Sequence, residues 1–448
     1  MKLLKLIFIP IFIFNTAQTV AAQNCKVEFL GTKTLYQKPE NPSAAAPAGY
    51  LPVFINYVGR HGARHLTKNI KTNYAYQLLF RADSLHGLTE KGQELKQMVL
   101  KLEKVEQGNT KFISAEGRAE LHGIAGRMVH QYPTVFEEPL NIKLSVTKEI
   151  RTAQSADAFF TGINSSTSNK PLITKITDDT NLRFYDFSPA YDVYKKSDAV
   201  KKNLKLLQKQ ERINLIDNRI AKNIFKPLFA EKLSADETEK FTAEIFGFAT
   251  IVYSLQNEIA RAGFSTAELN FSTIFTCEEL GHLGSVGAAE DYLKKGPANN
   301  LNGIQVKIAV PLLINFIKTT DEFIATGKYN AQLRFAHAET ILPFAAILDI
   351  SSADKTVADL SKLSQFWRPE NIAPLSSNIQ WVLYRKKGSK NCLIKVLLNE
   401  KEIPITGLAT KNFPFYTWDD LKGFYLKKLS AWNIKLGTDM VLYLKNLH

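Results

Sequence analysis

Three times along this chain an apolar strand pattern ends in a short turn carrying arginine or histidine and then passes into another element. Residues 53–58 read as a short buried strand that runs into "GRHGARHLTK", a turn holding Arg60, His61, Arg64 and His65. In "NIKLSVTKEIRTAQSADAFFTGI", Ile142, Leu144 and Val146 alternate with polar residues and Arg151 follows in the turn. Ala156, Phe159, Phe160 and Ile163 then line a helix face. In "AQLRFAHAETILPFAAILDI" a strand through Phe335 precedes His337, Glu339 and Thr340, and an apolar helix follows that tolerates Pro343 in its first turn. In open α/β sheets ligands bind where loops converge at the carboxyl ends of strands and helix amino termini offer unpaired N–H groups to anions. The pattern predicts an α/β fold, a central mostly parallel sheet flanked by helices, with residues near 60, 151 and 337 meeting at one edge.

Between roughly 165 and 300 the periodicity turns helical. "LKLLQKQERINLIDNRIAKNIF" spaces Leu204, Leu207, Ile213, Ile216, Ile220 and Ile224 along a helix face, and "SADE" at 234–237 is a capping box ahead of a long helical run. Polar stretches, "NSSTSNK" and "KKGPANNLNG", flank this region. The expected organisation is an α/β catalytic domain of residues 23–164 and 301–448 interrupted by an all-helical cap domain of residues 165–300. The tail reads as two more strands, 379–384 and 392–398, joined through Gly388.

The amino terminus has Lys2 and Lys5, an apolar run over residues 6–14 and small residues up to Ala22, the layout of a signal peptide of residues 1–22. The run is short for a membrane anchor and contains Pro10. An exported protein, periplasmic or secreted, is therefore expected. Cys25 invites a lipoprotein reading, but Asn24 stands where a small residue is needed. The three cysteines, Cys25, Cys277 and Cys392, allow at most one internal bridge, so an apolar core carries the fold, and which of them pair stays open. The net charge of +14 falls to +12 once Lys2 and Lys5 leave with the signal. Such a field favours anionic ligands without naming them. No aromatic-studded basic stripe supports nucleic-acid binding, and a monomer without a transmembrane anchor is expected.

Arginine forks donate two parallel hydrogen bonds and stay charged, which suits them to the spread charge of a transferring phosphoryl group. Arg60, Arg64 and Arg151 can supply three such clamps and His337 a fourth donor. His61, if neutral and fixed through one ring nitrogen, can attack phosphorus with the other. Glu339 is the candidate to protonate the leaving oxygen and then activate water, since a neighbouring dianion favours its protonated form. Taken singly each residue has a plainer reading: surface charge for Arg60 and Arg64, an ion pair with Glu149 or Asp157 for Arg151, a core histidine for His337. A metal site on His61 and His65 lacks an accompanying glutamate, and the glycines argue against a helix there.

These residues resemble a known family. "RHGAR" resembles the R-H-G-x-R signature of the histidine phosphatase superfamily, acid phosphatase and phytase branch, and "HAET" resembles the multiple inositol polyphosphate phosphatases within it. "GLTEKGQEL", "SAEGRAELHGIAGRM", "RTAQSADAFFTGI", "LRFYDFSPAYDVY", "APLSSNIQWVLYR" and "KVLLNEKEIPI" extend the likeness from about residue 50 to 430. The resemblance implies His61 as nucleophile, Arg60, Arg64, Arg151 and His337 as phosphate ligands, Glu339 as proton donor, inositol hexakisphosphate and its lower esters as substrates, and no metal or cofactor. Arg183, in "LRFYD", is a candidate for a second phosphate of such a substrate, or else an ion-pair partner of Asp186 or Asp179. Leu66 departs from the pattern: a proline usually stands there, and its absence puts the rigidity of the loop in question. Two rival readings are a broad-specificity histidine acid phosphatase using the same site, and a polyanion-binding protein without turnover.

Overall fold

The protein is described here from a computed structural model covering residues 25, 27–41, 43–389 and 391–448; the expected signal peptide, 1–22, lies outside the described residues. Eight strands, β1 (Tyr50–Arg60), β2 (Asn141–Val146), β3 (Leu172–Thr177), β4 (Ala331–Ala336), β5 (Asn378–Lys386), β6 (Cys392–Leu398), β7 (Lys401–Glu402) and β8 (Phe415–Thr417), form one sheet. Its order is β3-β2-β4-β1-β5-β6-β7, with β8 also paired to β6. From β3 to β1 all pairings are parallel, and from β1 outward through β5, β6, β7 and β8 all are antiparallel. The α/β sheet flanked by helices is thus mixed. The physical reason is connection length: β1, β2 and β4 are joined through helices, whereas β5 and β6 share a tight turn at Gly388, φ 79°, which permits only antiparallel return.

Helices cover both faces, and β1 shows why. Its alternate side chains Ile55 and Tyr57 pack with helices α3 (Ala115–Gln131) and α4 (Ile150–Ser166), whose buried residues include Leu121, Ile124, Phe159 and Ile163. Phe54 and Val58 point to the opposite face, into the core of α9 (Val310–Thr326) and α10 (Ala338–Ile347) with Leu313, Phe316, Ile341 and Phe344.

The region expected to be an all-helical cap departs from that expectation twice. Residues 172–177 are β3, an edge strand parallel to β2. All six of its side chains are exposed, so β-branched content and backbone pairing form it, and no core-facing alternation announces it. The rest of 165–300 divides between two cores. α6 (Ile213–Ile224) and α7 (Ala235–Ile251), the latter with the expected Ser234–Glu237 capping box, pack in one apolar cluster with α1 (Tyr74–Ser84) and α2 (Glu90–Glu106). α2 needs this partner, because its buried stripe of Leu95, Val99 and Leu102 faces away from the sheet. By contrast Tyr191, α5 (Asp198–Gln210, through Val200 and Leu207) and the end of α8 (Cys277–Lys295) join the core that covers α9 and α10. A boundary at 165 therefore cuts through packing that includes residues 70–106.

One disulfide, Cys25–Cys277, ties the segment Val27–Lys33 to the start of α8. It answers the open pairing and occupies the sulfur that acylation of Cys25 would need. Cys392 is buried in β6.

Candidate active site

Parallel register explains how distant residues meet. β1 and β4 are paired in register up to Arg60 against Ala336, so His61 and His337 are each the first residue beyond adjacent strand ends. Their rings lie 5.5 Å apart, centroid to centroid. Beside β4, β2 ends at Val146, and the chain turns through Thr147 into α4, whose second residue is Arg151. His337 is the N-cap of α10, which places Glu339 in the first turn of that helix.

The histidine loop is held closely. The amino end of α3 comes up against it at Gly62 and Gly117: a Cβ on Gly62 would lie 2.7 Å from Gly117 O, and one on Gly117 2.2 Å from Ala63 O. Only glycines permit this approach. Gly62 N donates to Ser155 Oγ of α4 at 3.1 Å, and Ala63 N donates to Glu120 of α3 at 3.2 Å. Leu66, the departure from the family pattern, has a compensating contact. Its N–H, which a proline lacks, donates to Glu106 Oε2 at 3.0 Å, and Glu106 Oε1 lies 3.3 Å from His65 Nδ1. Backbone bonds from His65 N to Phe112 O and from Lys111 N to Leu66 O complete the fixation. His65 thus faces Glu106 and Glu258, away from His61. Among the described residues no cluster of three or more histidine, cysteine or acidic side chains could hold a metal ion.

His61 is buried, and its Nδ1 donates to Gly62 O at 2.9 Å, so Nε2 keeps its lone pair. Burial first, then the charges of Arg60 and Arg151, hold its pKa well below the ordinary histidine value, which keeps the ring neutral. His337 shifts the same way, from burial and then Arg151. Arg151 donates to His337 Nδ1 at 3.1 Å, which leaves Nε2–H to donate to Thr147 Oγ1 at 3.0 Å. Arg151 also pairs with Glu149 at 2.8 Å. Arg60 is anchored by Thr32 O and by Ala373 O at 2.7 Å, and Arg64 by His65 O at 2.8 Å. Burial pulls both Arg60 and Arg64 down to about 10. The Nε atoms of Arg60 and Arg151 are buried without a hydrogen-bond partner among the described residues. Buried N–H donors left without acceptors are groups that a bound anion can satisfy.

Glu339 is 42% exposed and pairs with Lys295 of α8 at 3.3 Å. Partial burial works to raise its pKa, but the Lys295 ammonium beside it outweighs this and holds the carboxyl well below the usual range. In the free protein it is a carboxylate. Lys295 pairs in turn with Asp291 at 2.8 Å, and Asp291 accepts from Thr32 Oγ1 at 3.3 Å. Arg183 adopts the ion-pair reading with Asp186, at 2.7 Å, together with one to Glu149 at 3.3 Å, and its NH1 also comes within 3.5 Å of His337 Nε2. It borders the site from the side of β2.

All seven residues singled out from sequence therefore lie around one cleft edge. Arg60, His61, Arg64, Arg151 and Glu339 line a cavity of about 490 Å³, together with Lys33, Thr250, Asp291 and Lys295. Lys33, Asp291, Lys295, Thr147 and Glu106 were not found from sequence. Thr147 had a signal, its place at a strand end. The others come from α2, α8 and the disulfide-tied segment, where no local pattern marks them.

The sequence matches the histidine phosphatase superfamily (branch 2) over residues 53–399. Multiple inositol polyphosphate phosphatase 1 of Gallus gallus is 22% identical over 425 residues, 89% of each chain. Among solved structures, the Bifidobacterium longum multiple inositol polyphosphate phosphatase in complex with inositol hexasulfate superposes with a TM-score of 0.77 at 19% identity, covering 92% of this chain and 99% of that one. The phytase from D. castellii gives 0.69 at 16% identity, covering 94% and 88%. The chain belongs to the histidine phosphatase superfamily, branch 2, and is a phosphoric monoester hydrolase.

Proposed function

We propose that the protein removes phosphate groups stepwise from inositol polyphosphates, the hexakisphosphate and its lower esters, through a phosphohistidine on His61. The observation that carries this reading is the His61 imidazole, tied through Nδ1 to Gly62 O and lining one cavity with Arg60, Arg64 and Arg151, whose charges together with burial favour its neutral form. The names of the chicken and B. longum relatives support the substrate class.

In the first half-reaction Nε2 attacks phosphorus in line, an N–P bond forms, and the ester P–O bond breaks. The leaving alkoxide takes a proton from Glu339. Because Glu339 is ionised in the free protein, that proton arrives with the substrate monoanion, whose last ionisation lies near pH 6. Phosphate charge in the cleft also raises the proton affinity of Glu339 and of His337, so His337 takes up a proton from solvent at Nδ1, in place of the Arg151 hydrogen bond, and donates it to the oxyanion beside Arg151. In the second half-reaction Glu339, now a carboxylate, takes a proton from water. The water oxygen attacks phosphorus, the N–P bond breaks, and orthophosphate leaves with His61 neutral again. Arg60, Arg64 and Arg151 stabilise the equatorial oxygens in both steps. Arg183, oriented by Asp186, is assigned to a neighbouring phosphate of the substrate.

Helices built on residues 70–106 and 213–280 form the cap over this edge in our reading, a redrawing of the 165–300 boundary. The Cys25–Cys277 bridge supports an oxidising compartment, hence export to the periplasm or medium, and the chain is taken to act as a monomer. Among the described residues no helix is long and apolar enough to cross a membrane. The test is the product ladder from inositol hexakisphosphate with time, with and without EDTA. Successive lower esters, unaffected by the chelator, are expected; comparable kcat/KM for a simple sugar phosphate would favour a broad-specificity acid phosphatase instead.

A further inference from the structure

Lys33 is a cation that the mechanism above does not use. It ends the segment Val27–Lys33, which turns at Gly31 (φ 52°) and lies against α8 so closely that a Cβ on Gly284 would come within 2.7 Å of Phe29 Cα. The neighbouring Thr32 is fixed from both sides, by Arg60 through its carbonyl and by Asp291 through its hydroxyl. Lys33 therefore sits on a fixed wall of the cleft, in the same cavity as His61, Arg60 and Arg64. Its Nζ donates to Thr250 Oγ1 at 2.7 Å, and among the described residues no carboxylate oxygen lies within 4 Å of it. An ammonium has three donors, so two remain for the cleft. Burial and the charges of Arg64 and Arg60 pull it down to about 8, with Asp291 opposing. A half-buried ammonium beside two guanidinium groups and without a carboxylate partner is unfavourable until an anion joins it. The reacting phosphate already has Arg60, Arg64 and Arg151. The cavity, about 490 Å³, has room for a ring bearing further phosphates.

We propose that Lys33 is the ligand of a second, non-reacting phosphate of the substrate and so a determinant of selectivity for polyphosphorylated rings over simple monoesters. This rests on the inositol polyphosphate reading above. The competing role is structural: Thr250 is next to last in α7, and a lysine at a helix carboxyl end stabilises it. That role predicts a loss of stability without a change of substrate preference.

The experiment measures kcat/KM for inositol hexakisphosphate and for p-nitrophenyl phosphate with the full chain, with Lys33→Met and with Lys33→Arg. For Lys33→Met the ratio of the two is expected to fall at least about tenfold, chiefly through KM for the hexakisphosphate, and Lys33→Arg should restore most of it. In the wild type, KM for the hexakisphosphate should rise as pH passes above about 8, and that rise should be absent in Lys33→Met. Equal losses on both substrates, or no loss, with a wild type that hydrolyses both would overturn the role of Lys33 alone. A wild type that hydrolyses nitrophenyl phosphate but releases nothing from the hexakisphosphate would overturn the substrate reading beneath it.

Discussion

Replacing Glu106 by leucine tests whether a carboxylate on α2 holds the histidine loop that follows β1. Glu106 is 4% exposed, and its Oε2 is the acceptor for Leu66 N–H at 3.0 Å. A hydrogen bond to a charged group contributes about 1.5–3 kcal/mol, and leaving a buried N–H without an acceptor costs about 1–3 kcal/mol. Glu106→Leu should therefore lower stability by about 2–3 kcal/mol in urea unfolding. Because the same loop carries His61 and Arg64, kcat/KM should fall about tenfold, the equivalent of about 1.4 kcal/mol of lost positioning. The informative comparison adds Leu66→Pro, which removes the N–H itself. In that background Glu106→Leu should cost about 1 kcal/mol less than it does with leucine at 66, since the Leu66 N–H is no longer there to strand, while the contact with His65 Nδ1 is lost in both backgrounds. If Glu106→Leu destabilises equally with leucine or proline at 66, or lowers stability while kcat/KM stays level, Glu106 is packing support and the loop is held elsewhere.

Three further outcomes follow from the same geometry. Glu339→Gln should slow hydrolysis of alkyl phosphates about a hundredfold or more but nitrophenyl phosphate far less, because nitrophenolate leaves without a proton; equal losses would remove Glu339 from the proton path. The buried histidines His61 and His337 have pKa values below the unfolded value of about 6.5, so their neutral forms stabilise the fold above that pH and the contribution is lost as pH falls below it. The Tm of the ligand-free protein should thus drop between about pH 6.5 and 4.5, before most carboxylates titrate, and inorganic phosphate should offset the drop; a level Tm over this range would contradict the neutral assignment. Cys25→Ser should cost about 2–4 kcal/mol and loosen the wall that carries Thr32 and Lys33, read as lower Tm and higher KM, whereas an unchanged KM would show that the segment stays seated without its bridge.

What the sequence revealed divides along physical lines. His61, Arg151 and His337 were legible because each follows a strand whose apolar alternation is strong, and parallel register then makes strand ends coincide. β3 was not legible, since its six exposed residues carry no core-facing signal. Nor was the partnership of α1 and α2 with α6 and α7, because amphipathic periodicity marks a buried face without naming what buries it. Lys33 and Lys295 reach the site through a bridge spanning 252 residues and the packing it secures, information that no local window contains. Leu66 raised a question about loop rigidity that only the placement of Glu106 resolves.

The claim on which most depends is that His61 Nε2 accepts the phosphoryl group. Rapid quenching of the enzyme with inositol hexakisphosphate under alkaline conditions, followed by peptide mass spectrometry, measures it directly. A phosphoryl adduct on His61 should appear within one turnover, accumulate in Glu339→Gln and be absent in His61→Ala, which should retain ligand binding but release no orthophosphate. Turnover by His61→Ala, or an adduct on another residue, would contradict it.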